Sequence, residues 1–286
     1  MGSLSDNHYK DLIGELNKTA IRKRKKRYTD WVKSSPEGCL RVGFVSADLH
    51  DHPVGYFTEK LLKNLDNKKI ECIAYSNCKD NTSALRKRIT PYFREWHSIA
   101  SLNDSEAAEL IYQTAPDILI DLSGHTSGNR LPMFSYKPAA IQATWLGYFA
   151  STGIDEMDFI IGDKFVTPHD ADEEFTEKII QMPNSYLCFS APDVELEVEE
   201  TPALKENKIT FGCFNKANKI SNPVIQVWSE ILKNIPNSSL FFQGVGYDGD
   251  LKKSISEKFE ALGVSDKKLR FAKKTDRTEL LKAYNK

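Results

Sequence analysis

No apolar run in this 286-residue chain approaches the roughly 20 residues needed to cross a bilayer as a helix, which excludes a helical membrane span. Cysteine is sparse. Cys39, Cys72, Cys78, Cys188 and Cys213 are odd in number, scattered and without C-x-x-C spacing, which argues against a disulfide framework or a zinc site. Cys72 and Cys213 fall inside strand-like runs and read as small buried apolar residues. Charge of one sign is also lacking: a formal net charge of -1 gives no global attraction to nucleic acid or to an anionic membrane. The opening MGSLSDNHYK has no apolar signal-peptide core, and Asp6 stands where a myristoylation signal needs Ser or Thr, so the cytoplasm is the expected compartment. Nothing before residue 36 has the 34-residue period of tetratricopeptide repeats.

What the chain does have is an ordinary globular composition, 40% hydrophobic and 28% charged, over a length that suggests two domains. Residues 1–36 are polar and helix-prone, with six consecutive basic residues from Arg22 to Arg27 that read first as a solvated face. Residues 37–185 alternate strand-like and helix-like segments, with strands expected over 40–47, 70–76, 117–122, 141–145 and 158–162. A helix is expected over 104–114, where Asn103 and Glu106 form a capping box. Strands alternating with helices imply a mainly parallel sheet. Residues 186–207 are acidic, contain Pro192 and Pro202, and read as a linker. From 208 to 286 a second α/β unit follows, with strands near 209–214, 239–243 and 269–272 and helices near 223–235, 250–262 and 276–285. Three strands make half of a doubly wound domain, so this second lobe is expected to be incomplete, either because the polypeptide is a fragment or because a partner completes it.

Chemistry gathers where apolar runs end. The stretch LRVGFVSADLHDHPVGYF passes from a strand into Asp48, His50, Asp51 and His52, then into a helix beginning near Pro53 and Val54. Ligands of open α/β sheets bind beyond the carboxyl ends of strands, so a carboxylate and two imidazoles there suit acid–base work. Alternate His spacing also occurs in metal sites, but no third ligand is readable, and no metal is expected. The cluster Asp121 to Arg130 offers glycines, His125 and Thr126; a third, Trp145 to Gly153, includes Leu146 and Gly147. In the second unit, Asn215, Lys216 and Lys219 lie between a strand and a helix start, a setting suited to phosphate. Gly244-Val245-Gly246-Tyr247-Asp248-Gly249 matches G-x-G-x-x-G but follows the second strand of its unit, so it reads as a loop that needs glycine rather than a dinucleotide fingerprint. Asp170-Ala171-Asp172 and Asp248-Gly249-Asp250 lack further oxygen ligands and are set aside as D-x-D cation clips.

Together LRVGFVSADLHDHPVGYF, DILIDLSGHTSGNRL, KPAAIQATWLGY with STG, MDFIIGD and FGCFNKANKISNPVIQVWSEILKNIPNSSL resemble, in order, the catalytic region of the O-GlcNAc transferase family, glycosyltransferase family 41, with its bacterial and SPINDLY-like members. The resemblance implies an α/β fold of GT-B type with two Rossmann-like lobes. It implies inverting transfer of GlcNAc from UDP-GlcNAc to Ser or Thr of proteins, with no cofactor or obligatory metal; GDP-fucose is the alternative donor. A non-catalytic interaction module on the same scaffold is the reading from another class. By position, His52 and Asp48 match residues implicated in proton transfer, and Lys219 matches the lysine that neutralises the departing diphosphate. Pro53, Val54, His125, Thr126, Leu146, Gly147, Asn215 and Lys216 fall at donor or substrate positions. The implied partners are a nucleotide sugar and a protein or peptide acceptor, with no membrane or nucleic acid, and with tetratricopeptide repeats in a preceding region. Phe149 departs from the proline common in this family. The family's later N-G-H/G-T-T donor segment is not reached by Lys286, so residues 1–286 alone are expected to turn over weakly or not at all.

Overall fold

The computed structural model describes residues 6–32, 38–79, 82–168, 174–189 and 196–285. It divides into two compact units, one up to Ala191 and the other from Pro192 to Lys286.

In the first unit α1 (Asp6–Lys23) is followed by β1 (Leu40–Ser46), α2 (Pro53–Asn64), β2 (Ile70–Ser76), α3 (Ala84–Ile89), β3 (Glu95–Ser98) and α4 (Asp104–Thr114). After these come β4 (Ile118–Asp121), the short α5 (Leu131–Phe134), β5 (Ile141–Trp145), β6 (Phe159–Asp163) and β7 (Lys178–Met182). All seven strands are parallel, in the order β3-β2-β1-β4-β5-β6-β7. The order reverses between β1 and β4, which puts the switch point, and the crevice that goes with it, at the carboxyl ends of those strands. Register is even there: Val45 lies opposite Asp121, and Asp121 opposite Thr144. Apolar clusters cover both faces, one including Ile73, Tyr75, Leu119 and Ile111, the other Phe44, Ala74, Leu62 and Leu85.

Two strands were not expected. β3 has four residues, EWHS, and β7 has an exposed-intermediate alternation; both are sheet edges, so neither carries the continuous apolar run that marks a strand buried on both faces. The capping box of α4 forms as expected, with Asn103 accepting from the Glu106 amide and Glu106 from the Asn103 amide.

The basic run is not wholly a solvated face. Arg24 and Arg27 pair with the buried Glu156 carboxylate, and the Lys26 ammonium lies 4.3 Å from the centre of the Tyr28 ring. α1 ends at Lys23 rather than running on toward residue 36; residues 33–37 lie outside the described residues. The helix packs hard against the loop after β5: a Cβ built on Gly153, at φ +68°, would fall 1.8 Å from Ile13 Cγ2. Asp170-Ala171-Asp172 and residues 190–195 of the expected linker lie outside the described residues.

The second unit opens with the short helix α6 (Pro202–Glu206), inside the stretch read as linker. β8 (Ile209–Cys213), α7 (Asn222–Asn234), β9 (Ser238–Gly244), α8 (Gly249–Ala261), β10 (Leu269–Lys273) and α9 (Arg277–Lys282) follow. Its three strands are parallel in the order β10-β9-β8, and Phe242, Phe259, Leu232 and Ile225 form the core beneath α7 and α8. The last expected helix is shorter than its pattern: α9 tightens at Ala283 into a 3-10 turn.

Candidate active site

The loop after β1 is built around Asp48. Its amide donates to Ser46 Oγ at 2.9 Å, and its half-buried carboxylate faces two imidazoles. His50 Nε2 lies 3.7 Å from Oδ1 and His52 Nδ1 3.8 Å from Oδ2. His52 also caps α2: from an extended backbone its Nδ1 accepts from the Val54 amide at 3.4 Å, while Pro53 in the first turn has no donor to satisfy. With that lone pair engaged, the neutral ring carries its proton on Nε2. A proton added at Nδ1 displaces the cap and gives Asp48 a charged neighbour. Asp51 turns away from both histidines; its carboxylate accepts from the Ala84 and Leu85 amides at 3.1 and 3.3 Å and from the Tyr56 hydroxyl at 3.2 Å. Among the described residues no cluster of three or more His, Cys, Asp or Glu is placed to hold a metal ion.

The loop after β4 is held from below by Asp121, which is fully buried and accepts from the Ser123 and Gly124 amides (3.2 and 2.7 Å) and from Thr144 Oγ1 of β5 (2.8 Å). Burial pushes this carboxyl above the usual aspartate range, against the opposing pull of those hydrogen bonds. His125 Nε2 lies 3.0 Å from Ser151 O; a carbonyl only accepts, so Nε2 carries the proton and Nδ1 the lone pair. The Thr126 hydroxyl donates to Ser123 O at 2.8 Å, which leaves its oxygen free only to accept.

The loop after β5 begins with a tight reversal. Leu146 sits at φ +75°, and the Gly147 amide bonds back to Trp145 O at 2.9 Å, a γ-turn that strains any residue with a Cβ. A Cβ on Gly147 would fall 2.0 Å from Leu122 O. Phe149 is largely exposed and stacks on Tyr148. Farther on, the buried Glu177 carboxylate accepts from Ser151 Oγ at 2.8 Å and from the Thr152 amide at 2.7 Å. The three loops touch: Gly147 abuts Leu122, and a Cβ on Gly128 would meet that of Ala47 at 2.9 Å. Arg130 ties this end of the sheet to its neighbours, bonding Asp104, Asn77, Ile99 O and Leu102 O.

In the second unit Phe214 to Ser221 link β8 to α7, with a 3-10 turn at Ala217–Lys219. Asn215, Lys216 and Lys219 are exposed, and neither lysine ammonium has a side-chain partner among the described residues. Ser221 supplies no side-chain cap to α7, so the positive end of a 13-residue helix stands beside two unpaired cations.

The expected site residues therefore fall into two sets. Asp48, His52, Pro53, Val54, His125, Thr126, Leu146 and Gly147 gather on touching loops at one end of the seven-stranded sheet. Asn215, Lys216 and Lys219 share one loop of the other unit. Sequence reasoning missed the supporting carboxylates. Asp121 stood inside a noted cluster, but nothing there marks it as the loop's anchor. Glu177 lies 25 residues from Thr152, and no local pattern joins them.

Residues 7–194 match the sequence profile of glycosyl transferase family 41. The chain is 32% identical over 251 residues to the Arabidopsis thaliana protein named probable UDP-N-acetylglucosamine–peptide N-acetylglucosaminyltransferase SPINDLY, covering 85% of this chain and 27% of that one. It is 36% identical over 218 residues to the SPINDLY protein of Eustoma exaltatum subsp. russellianum, covering 75% and 23%. Among solved structures it is similar to an O-GlcNAc transferase mutant from Thermobaculum terrenum, with 31% identity, a TM-score of 0.89 and coverage of 100% of this chain and 54% of that one. The Anabaena protein HepE, solved with UDP and glucose, shares the fold alone at 11% identity, with a TM-score of 0.50 and coverage of 86% and 72%. The chain thus spans about half the length of the Thermobaculum relative and about a quarter of the curated ones. Its fold is the α/β, GT-B type of the glycosyltransferases among these neighbours. On the profile match and these identities, the chain belongs to glycosyl transferase family 41.

Proposed function

We propose that this chain carries catalytic machinery of an inverting glycosyltransferase that moves N-acetylglucosamine from UDP-N-acetylglucosamine to Ser and Thr hydroxyls of proteins. The observation that carries this reading is the Asp48 carboxylate within 3.8 Å of two imidazoles at the switch point of a parallel sheet, in a chain whose relatives bear peptide N-acetylglucosaminyltransferase names.

In this reading the acceptor oxygen bonds to the anomeric carbon, and the bond from that carbon to the β-phosphate oxygen breaks with its electron pair leaving on UDP. The hydroxyl proton departs through the Asp48–His52 pair. On the second unit, Lys216, Lys219 and the uncapped start of α7 offer positive charge suited to a diphosphate, and the reading calls for no cation or cofactor. Val54, His125, Leu146 and Gly147 shape the sugar's surroundings through backbone and ring contacts. The names of the relatives favour UDP-N-acetylglucosamine over GDP-fucose as donor.

The test is transfer by the whole protein. Radiolabelled sugar from UDP-N-acetylglucosamine is expected to appear on protein acceptors, to be lost in His52→Ala, and to exceed transfer from GDP-fucose. Absence of both sugar transfer and UDP release refutes the reading.

A further inference from the structure

We propose that Tyr247, in the glycine-rich loop after β9, is a positioning residue that holds the lysine-bearing loop after β8 in shape for a diphosphate. The inference rests on the function proposed above and deepens it.

The two loops are joined at several points. The Tyr247 hydroxyl donates to Asn215 O at 2.8 Å. With that proton committed, the Cys213 thiol, 3.6 Å away, is the donor to the tyrosine oxygen. The ring is 3% exposed and packs against Phe242 and Phe271, so the hydroxyl has no freedom to swing aside. Burial raises the phenol well above its ordinary range, which keeps it a donor at every physiological pH. Alongside, the Ala217 amide donates to Val245 O at 3.0 Å. Glycine makes this approach feasible. Gly244 and Gly246 lie at φ +156° and +89°, and a Cβ on either would come 3.1 Å from Asn215 O or 3.2 Å from the Ala217 Cβ. The G-x-G-x-x-G stretch is thus explained without a dinucleotide: it is the wall against which residues 215–217 are fastened. Lys216 and Lys219 flank the fastened Ala217, and the Lys219 amide donates to Lys216 O at 3.0 Å, so the turn that carries both lysines closes around the residue held by Val245 O.

The experiment uses the chain 1–286, with inorganic pyrophosphate as probe. Titration calorimetry measures affinity, and hydrogen exchange reads the amides of 214–219. Tyr247→Phe keeps the ring and removes the donor. It is expected to speed exchange in 214–219 and to weaken pyrophosphate binding about fivefold, the scale of one net hydrogen bond, with exchange in β9 and α8 unchanged. Lys219→Ala is the control for the site itself. If Lys219→Ala weakens binding and Tyr247→Phe leaves both affinity and exchange at wild-type values, the positioning role is refuted and the site stands. If pyrophosphate does not bind, or Lys219→Ala leaves its affinity unchanged, the diphosphate site fails with it. Should Tyr247→Phe unfold the unit, Gly246→Ala disturbs the same contact between the two loops by a different route, a Cβ at positive φ 3.2 Å from that of Ala217, and unchanged affinity and exchange in that variant refute the proposal.

Discussion

Replacing Gly147 with alanine tests whether the loop after β5 is located by contact with β4. The added methyl would sit 2.0 Å from Leu122 O, 2.8 Å from Leu122 C and 3.0 Å from Ser123 Cα. All three are backbone atoms, so no side chain can rotate out of the way. Ordinary contact requires the two segments to part by about 1.4 Å, at the point where Asp121 binds Ser123, Gly124 and Thr144 together. Gly147 has no positive φ, so the cost is steric rather than conformational. Overpacking of a rigid site costs about 1–3 kcal/mol. At about 2–4 °C per kcal/mol for a domain of this size, the upper end corresponds to a fall of about 6–12 °C in Tm. Differential scanning calorimetry of Gly147→Ala reads this directly. If the proposed function holds, the same displacement in the whole protein is expected to lower kcat/KM by about 10²-fold. A wild-type melting temperature would show that the β4–β5 contact is loose and that the argument from close approach is wrong.

Further substitutions separate charge from architecture. Lys219→Ala in the whole protein is expected to reduce kcat by about 10²–10³, with no change in Tm because the side chain is exposed; a steady-state assay and a thermal melt check both halves. Arg130→Met strands Asp104, Asn77 and two backbone carbonyls at a largely buried site and should cost about 2–4 kcal/mol in urea unfolding, with midpoint rather than slope changing. Glu59 is gripped by Arg88 through both carboxylate oxygens and by Lys63, which holds its carboxyl below the usual range. A depressed acid stabilises the fold above its unfolded pKa and loses that contribution as pH falls through the folded value. Glu59→Gln should therefore melt lower than wild type at pH 7, by about 1 kcal/mol given its half-exposed partners, and the difference should start to shrink as pH falls below 4.5 and vanish only once pH is below the depressed folded value.

The parts of this molecule that could be read from sequence are those whose signals are local. β1, β2 and β5 announce themselves because strands buried on both faces carry mostly apolar runs, and α4 because its capping box spans four residues. Edge strands β3 and β7 escape notice because one side of each meets water. The polar clusters were found where strands end, but the division of labour inside them depends on distant chain. Asp51 is not a partner of its neighbouring histidines, because α3, more than thirty residues on, presents two amides to it. Glu177 is a loop anchor only because β7 runs beside β6 and brings it under Ser151. The departure at Phe149 has no packing role to explain it, since the ring stacks on Tyr148 and otherwise faces solvent.

The seat of α1 has a mechanical consequence. Ile13 rests on Gly153 with no compressible side chain between them, and Arg24 and Arg27 grip Glu156 three residues farther along the same segment. A shift of that helix therefore presses on the segment whose other end carries Leu146 and Gly147. Whatever takes hold of α1 from outside thereby bears on the segment after β5 without touching Asp48, His52 or the loop after β4.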